Sequence, residues 1–168
     1  MVMMLFVCLR GNVILWQGEE LGLAQVDIPF EKLQDPEAIA NWPLTLSRDG
    51  TRTPMPWLSD AVNSGFSSAE PWLPLGDDHK AMAVDIQETD AHSMLALTRK
   101  LIAFRNANEA MLVGDLNIIE AQSNLLIFER RSVNQHLIYA FNMSSGAVDW
   151  QPAQPDRWRM VKSVNDAV

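Results

Sequence analysis

The sequence has 168 residues, 48% of them hydrophobic, which is enough to form the core of one ordinary domain or of two small units. Its formal net charge of -8 argues against a nucleic-acid partner, because phosphate backbones are bound by basic surfaces. The single cysteine, Cys8, excludes a disulfide within the chain and a zinc site of the usual cysteine type.

The first residues, MVMMLFVCLRG, are predicted to form the end of a buried helix that Gly11 stops. Arg10 interrupts the apolar run, which is too short for a membrane span, and no basic leader of a secretory signal precedes it. Residues 12–18 are predicted to form a short buried strand, because residues 13–16 are continuously apolar. A chain that opens on such a run is expected to be a fragment whose preceding elements lie elsewhere.

Residues 24–88 form a proline-rich zone with little periodicity, and the tryptophans within it argue against disorder. Structureless loops of this length are uncommon in compact domains and are usually functional or disordered. One short helix is predicted in this zone, with Asp35 as its N-cap and Pro36 at its first position.

A longer helix is predicted from residue 90 to 109, because apolar residues recur there at three- and four-residue steps. Asp90 is its predicted N-cap, and Arg99, Lys100 and Arg105 lie towards its carboxyl half, where the helix dipole favours cations. After Gly114 the pattern becomes strand-like. Strands are predicted at residues 116–121, 124–132, 136–143 and 157–163, with turn residues between them, as in an antiparallel meander.

Two groups of charged residues are candidates for chemistry. Glu19 and Glu20 directly follow the predicted strand, which raises the question of whether they are the two carboxylates of a glycosidase. Adjacent strand residues point to opposite faces, so these two side chains cannot easily flank one glycosidic bond. We therefore favour structural glutamates that bond backbone amides over catalytic ones. Between residues 47 and 57, Asp49 lies near Arg48 and Arg52 in the sequence. This arrangement suits an ion-pair network that pins a loop, which is the favoured interpretation, or the recognition of a hydroxyl group.

Other signatures of catalysis are weak in this sequence. Trp57 and its proline neighbours suit a stacking face for a sugar ring or, more commonly, packing of a loop. His79, His92 and His136 have no metal-ligand spacing and are predicted to be surface or loop histidines. The sequence has no phosphate-binding loop, no Ser-His-Asp set and no metal-binding cluster.

Several motifs, in order, resemble the α-glucosidase and oligo-1,6-glucosidase branch of the α-amylase superfamily. They are GNVILWQGEELGL, DIPFEKLQDP, RDGTRTPMPW, NSGFSS, EPWLPL and the segment DAHSMLALTRKLIAFRNANEA, which together span about residues 1–115. The string RDGTRTPMPW is the most specific of them. The β-rich tail matches only in type, as the C-terminal sheet domain of those enzymes.

The resemblance implies a fold of class α/β plus all-β, namely the terminal part of a (β/α)8 barrel followed by a small antiparallel β-domain. Residues 1–109 are expected to end the barrel, and residues 110–168 to form the β-domain, whole or in part. Residues 1–11 are expected to end the seventh helix, 12–18 to form the eighth strand, 19–88 to cover the active-site mouth, and 90–109 to form the eighth helix.

The resemblance also implies a retaining glycosidase whose aspartate nucleophile, glutamate acid/base and stabilising aspartate all lie upstream of Met1. The family's NHD motif is not in this sequence, so no catalytic residue and no metal ligand is expected here, and no cofactor is implied. Arg52 is the residue expected to bind a terminal sugar hydroxyl, with Arg48 and Asp49 as its supports. The aspartate that pairs with this arginine in the family is expected outside the chain.

The expected partners are a small α-glucoside substrate and the missing barrel portion, without nucleic acid or membrane, in a cytoplasmic protein. The isolated chain is expected to be inactive, because the nucleophile and the acid/base are both lost. Two alternatives remain open, namely a standalone carbohydrate-binding or interaction module, and a fragment of a sucrose isomerase or glucosyltransferase of the same superfamily.

Overall fold

The computed structural model describes residues 1–45 and 47–161, and the chain divides into two compact units. The first unit comprises Met1–Ile14 and the chain from Thr98 onward, and the second comprises Leu15–Leu97. The described helices are α1 (Val2–Cys8), α2 (Pro36–Asn41), α3 (Val84–Thr89), α4 (Met94–Asn106) and α5 (Glu109–Leu112). The strands are β1 (Asp115–Ala121), β2 (Leu125–Arg131) and β3 (His136–Asn142). The predicted boundary between residues 109 and 110 stays a prediction.

The first unit contains the predicted antiparallel meander, with strand order β1-β2-β3 and a bulge in β1 between Ile118 and Glu120. Phe128 of the central strand stacks on Tyr139 and Phe141 of β3, with ring centroids 5.1 and 5.8 Å apart. Such cross-strand aromatic pairs stabilise a sheet and fix its register. The first three predicted strands are therefore confirmed.

The fourth predicted strand, residues 157–163, is wrong for its described part. Pro155–Arg157 forms a 3-10 turn, and residues 158–161 pair with no strand of the described chain. Trp158 packs edge-on against His136 instead, with ring centroids 4.8 Å apart. Pro155 accounts for the turn, since proline fixes φ and removes a backbone donor. Lys162 and Ser163 lie outside the described residues.

Two arginines hold the carboxyl end of α1. Arg130, which is fully buried on β2, donates to the carbonyl oxygens of Cys8 at 3.0 Å and Leu9 at 2.9 Å. Arg105 of α4 donates to Leu9 at 3.1 Å and also to Val7 and Gly11. The prediction that Gly11 stops this helix is wrong, because the helix ends at Cys8 and guanidinium donors satisfy the carbonyls that a glycine cap normally serves.

The second unit has a small apolar core formed by Ile28, Leu33, Ala38 and Leu73. The helix α2 begins as predicted, because the Asp35 carboxylate accepts a hydrogen bond from the backbone of Glu37 and Pro36 occupies the first turn. None of the described helices has the length and apolar character that a membrane span requires.

The predicted strand at residues 12–18 is not formed in this chain. Ile14 is 76% exposed and Trp16 is 48% exposed, whereas a buried strand was expected. A strand is held by hydrogen bonds to its neighbours, and the described residues supply no partner strand for this segment. The apolar pattern therefore identifies a segment suited to a barrel strand, but the described residues do not include the neighbouring strands that would order it.

The predicted helix at residues 90–109 is shorter than expected. It begins at Met94, because Ser93 is the cap: its hydroxyl accepts a hydrogen bond from Ala96 N at 3.1 Å and donates to Gln87 O at 2.8 Å. Asp90 ends the preceding helix and accepts from His92 N instead. The cap that forms lies three positions after Asp90, so the predicted N-cap is wrong.

Candidate functional site

The segment 47–53 is a tight polar turn in the second unit. Arg48–Thr51 forms a 3-10 turn that Ser47 caps, since its hydroxyl accepts from Asp49 N at 3.0 Å. Gly50 lies against the backbone of Val26, and Val26 N donates to Gly50 O at 3.0 Å. A Cβ on Gly50 would lie 2.2 Å from the carbonyl oxygen of Val26, so the approach requires glycine.

Asp49 is the buried centre of this turn. Its Oδ2 atom accepts hydrogen bonds from the backbone amides of Gln34 at 2.6 Å and Asp35 at 2.8 Å. Its Oδ1 atom is equally buried and accepts no hydrogen bond from the described residues. One carboxylate oxygen thus ties the turn to the start of α2, and the other is left with unused acceptor capacity.

Arg48 pairs with Asp35. Its backbone amide and its Nε atom donate to Asp35 Oδ2 at 3.1 and 2.9 Å, and its Nη2 atom contacts Oδ1. These charge-assisted bonds hold the pKa of the buried Asp35 carboxyl well below its usual range and raise the pKa of Arg48. The sequence reasoning identified Asp35 as a helix cap and missed this second role, because its partner lies thirteen residues away.

Arg52 stands in a different environment. Its Nη1 atom lies 4.0 Å from Asp49 Oδ1, and its side chain is 39% exposed. Within the described chain its guanidinium makes no hydrogen bond. The three predicted site residues therefore do not share one network of direct contacts: Arg48 is engaged by Asp35, whereas Arg52 faces Asp49 and keeps its donors.

The two glutamates behave as the structural interpretation predicts. Glu19–Leu21 forms a 3-10 turn between Gly18 and Gly22, both of which have positive φ. Glu19 Oε2 accepts from Trp16 N, and Glu20 Oε2 accepts from Gly18 N, each at 2.8 Å. Both carboxylates therefore orient the local backbone.

A cleft of about 250 Å³ lies beside this turn. Its walls include Trp16, Gln25, Thr51 and His79. His79 was predicted to be a surface or loop histidine, but it is buried, with Nε2 3.1 Å from Ala24 O. The compact folding of this irregular segment, which sequence periodicity does not report, buries it. Among the described residues no group of side chains is arranged to hold a metal ion.

The remaining predicted features are placed as follows. Trp57 is half-exposed and its backbone amide donates to Ser64 O at 2.9 Å, so its packing and stacking interpretations both stay open. His92 is exposed, and His136 contacts Glu129 Oε2 at 2.7 Å on the sheet.

Comparison with known proteins identifies the family. Residues 1–114 match the model of the alpha amylase catalytic domain. The chain belongs to the alpha-amylase family. It is 46% identical over 85% of its length to a probable alpha-glucosidase of Rhizobium meliloti (strain 1021), and 35% identical over 70% of its length to the salivary alpha-glucosidase of Aedes aegypti. These relatives support the predicted α-glucosidase and oligo-1,6-glucosidase branch of the alpha-amylase family.

A solved structure supports the alpha-amylase fold. The alpha-glucosyl transfer enzyme XgtA is 43% identical, with a TM-score of 0.85 over 90% of this chain and 28% of its own. The predicted fold class, a partial barrel followed by a β-domain, is confirmed by this likeness and by the three-stranded sheet. The chain spans about a quarter of the length of the curated relatives, 26% and 21% for the two named above.

Proposed function

We propose that this chain is the closing segment of an α-glucosidase, and that the whole protein hydrolyses α-glucosidic bonds of short oligosaccharides by a retaining mechanism. The family match and the 46% identity to a probable alpha-glucosidase support the proposal. The substrate is a small α-glucoside, and the protein acts in the cytoplasm without nucleic acid or membrane partners.

Arg52 is the substrate-binding residue of this segment in the proposal. The observation that carries it is a contrast in hydrogen bonding between the two arginines: Arg48 donates to Asp35, whereas the guanidinium of Arg52 has no hydrogen-bond partner in the described chain. A planar guanidinium with free donors suits recognition of a sugar hydroxyl or of the aspartate expected from the rest of the barrel. Asp49 and Arg48 support the turn that presents it.

The isolated chain is catalytically inactive in this proposal, because the aspartate nucleophile and the glutamate acid/base belong to segments of the family outside it. Incubation of the purified chain with a chromogenic α-glucoside is expected to give no turnover above background. Hydrolysis of this glucoside by the chain alone, if it persists through further purification, would refute this part of the proposal.

A chimera tests the function of the segment itself. The part of this chain that aligns with the Rhizobium meliloti relative would replace the matching segment of that relative, once the relative has been shown to hydrolyse an α-glucoside. The chimera is expected to retain hydrolysis, and R52Q within it to lower kcat/KM by about 10- to 150-fold, the effect of losing one hydrogen bond from a charged donor. R131Q, at an exposed position of the sheet, is the matched control. A folded R52Q chimera with unchanged kcat/KM would contradict the role of Arg52.

Glucosyl transfer is the second candidate reaction, because the alpha-glucosyl transfer enzyme XgtA is 43% identical to this chain. Product analysis separates the two reactions, since hydrolysis releases glucose and transfer yields a new glucoside when a sugar acceptor is supplied. A standalone carbohydrate-binding module is a third candidate, and calorimetric titration of the isolated chain with isomaltose tests it. Saturable binding by the chain alone would favour the module.

A further inference from the structure

Two arginines and two buried carboxylates are packed into segments 34–37 and 47–52, and their pairing is selective. Arg48 makes all its described side-chain bonds to Asp35, whereas the described ionic contact of Arg52 is with Asp49. The two contacts differ in quality: the first is a fork with Nε 2.9 Å from its acceptor, and the second is a 4.0 Å approach without a hydrogen bond.

The weaker contact is open to competition. Asp49 Oδ1 is buried and accepts no hydrogen bond from the described residues, so it offers an acceptor to a cation that comes within reach. Arg48 is the sequence neighbour of Asp49, so its guanidinium is a second cation near this turn, although the hydrogen bond to Asp35 is the main cause that raises the pKa of Arg48. Arg48 has Asp35 as its ionic partner, whereas the described ionic contact of Arg52 is with Asp49, so Arg52 is the cation that lies beside this oxygen.

We infer that Asp35 is a positioning residue: by engaging Arg48, it reserves the free oxygen of Asp49 for Arg52. The alignment of Arg52 then depends on a residue that it does not contact. The relevance of this arrangement to function rests on the proposed sugar-binding role of Arg52, whereas the arrangement itself does not depend on that role.

Asp35→Asn is the informative substitution. Asparagine is as good an N-cap as aspartate, so the start of α2 is retained, and the backbone amide of residue 35 still donates to Asp49. The substitution removes the anion that holds the Arg48 fork; with its one amide oxygen capping Glu37 N, asparagine also leaves the backbone amide of Arg48 without the acceptor that Asp35 Oδ2 provides. Arg48 then turns to the remaining buried carboxylate, Asp49, and displaces Arg52 from it.

Arginine side-chain NMR on the full chain measures this directly. The Nε–Hε cross-peak of Arg52 is assigned by its loss in R52K. In D35N this cross-peak is expected to shift towards that of an exposed arginine, for which Arg131 is the reference. In the double variant D35N/R48Q it is expected to return to its original position, because the competitor is gone. In R48Q alone it is expected to stay in place.

Return of the Arg52 cross-peak in the double variant distinguishes a positioning role of Asp35 from a general loss of structure, because removing Arg48 would not repair a structural loss at residue 35. An unshifted Arg52 cross-peak in folded D35N, or a shift that R48Q fails to reverse, would overturn the inference. If D35N loses the amide spectrum of the folded chain, R48Q and D49N test the inference instead. The inference then requires that the Arg52 cross-peak shift in D49N and stay in place in R48Q. No sugar is used, so failure of the α-glucosidase proposal in the chimera would leave this result standing.

Discussion

Replacement of Arg130 by methionine tests whether a buried cation with carbonyl partners holds the first unit together. Arg130 makes five donor contacts of 2.9–3.3 Å to the carbonyl oxygens of Cys8, Leu9, Met111 and Gly114. It is fully buried, and loss of water around the guanidinium lowers its pKa. Methionine of similar length keeps the packing and removes every donor.

The magnitude follows from the carbonyl groups that are left behind. Leu9 O keeps its bond from Arg105, but the other three oxygens lose the guanidinium, at about 1–3 kcal/mol for each buried polar group left unsatisfied. Relief of the desolvation of the cation offsets part of this sum. The expected net loss in the free energy of unfolding of the first unit is about 3–5 kcal/mol.

Amide hydrogen exchange is the suitable assay, because it reports the first unit separately from the second. The protection factors of Phe128 and Tyr139, in the middle of the sheet, are expected to fall by roughly two to three and a half orders of magnitude in R130M. R131M, an exposed neighbour on the same strand, is expected to change the free energy by no more than about 0.5 kcal/mol. Protection in R130M within tenfold of the wild type would refute the reasoning.

Two further substitutions probe the second unit and the thiol of the first. Gly50→Ala is expected to destabilise segment 47–53 by about 1–3 kcal/mol in urea unfolding, because its Cβ would meet Val26 O at 2.2 Å, whereas Gly146→Ala, with open space around it, is the neutral control. Burial raises the pKa of Cys8 from 9.0 to about 12, so iodoacetamide at pH 8 is expected to react only after unfolding. Because the unfolded thiol ionises first, the free energy of unfolding is expected to fall as pH rises from about 9 to 12, and less so in Cys8→Ala.

The elements with a regular period were predictable from sequence, and the contacts between distant polar residues were not. The alternation in residues 116–142 predicts three strands that the structure confirms, because a sheet repeats every two residues. The cap at Asp35 was also predictable, since it depends on the next two residues only. The pairing of Asp35 with Arg48, and the burial of His79 under Ala24, join residues that no local pattern connects.

The strand predicted at residues 12–18 shows a different limit. Its apolar pattern describes the environment of a barrel strand, but a pattern does not supply the neighbouring strands that satisfy its backbone. At the candidate site a motif identifies Arg52, whereas only the folded structure shows that Asp49 keeps beside it an oxygen that accepts no hydrogen bond from the described residues.

Buried polar side chains organise the second unit, in which regular elements are few. Gln87 donates to Leu21 O and Met82 O, each at 2.9 Å, and accepts from Leu95 N, so one amide joins three segments of the chain. Asp49 joins two others in the same way. Such bonds are directional, whereas apolar contacts are not, so they fix the path of an irregular segment. Asp49 thus fixes the turn that carries Arg52 through backbone amides, and not through a hydrogen bond to the guanidinium itself.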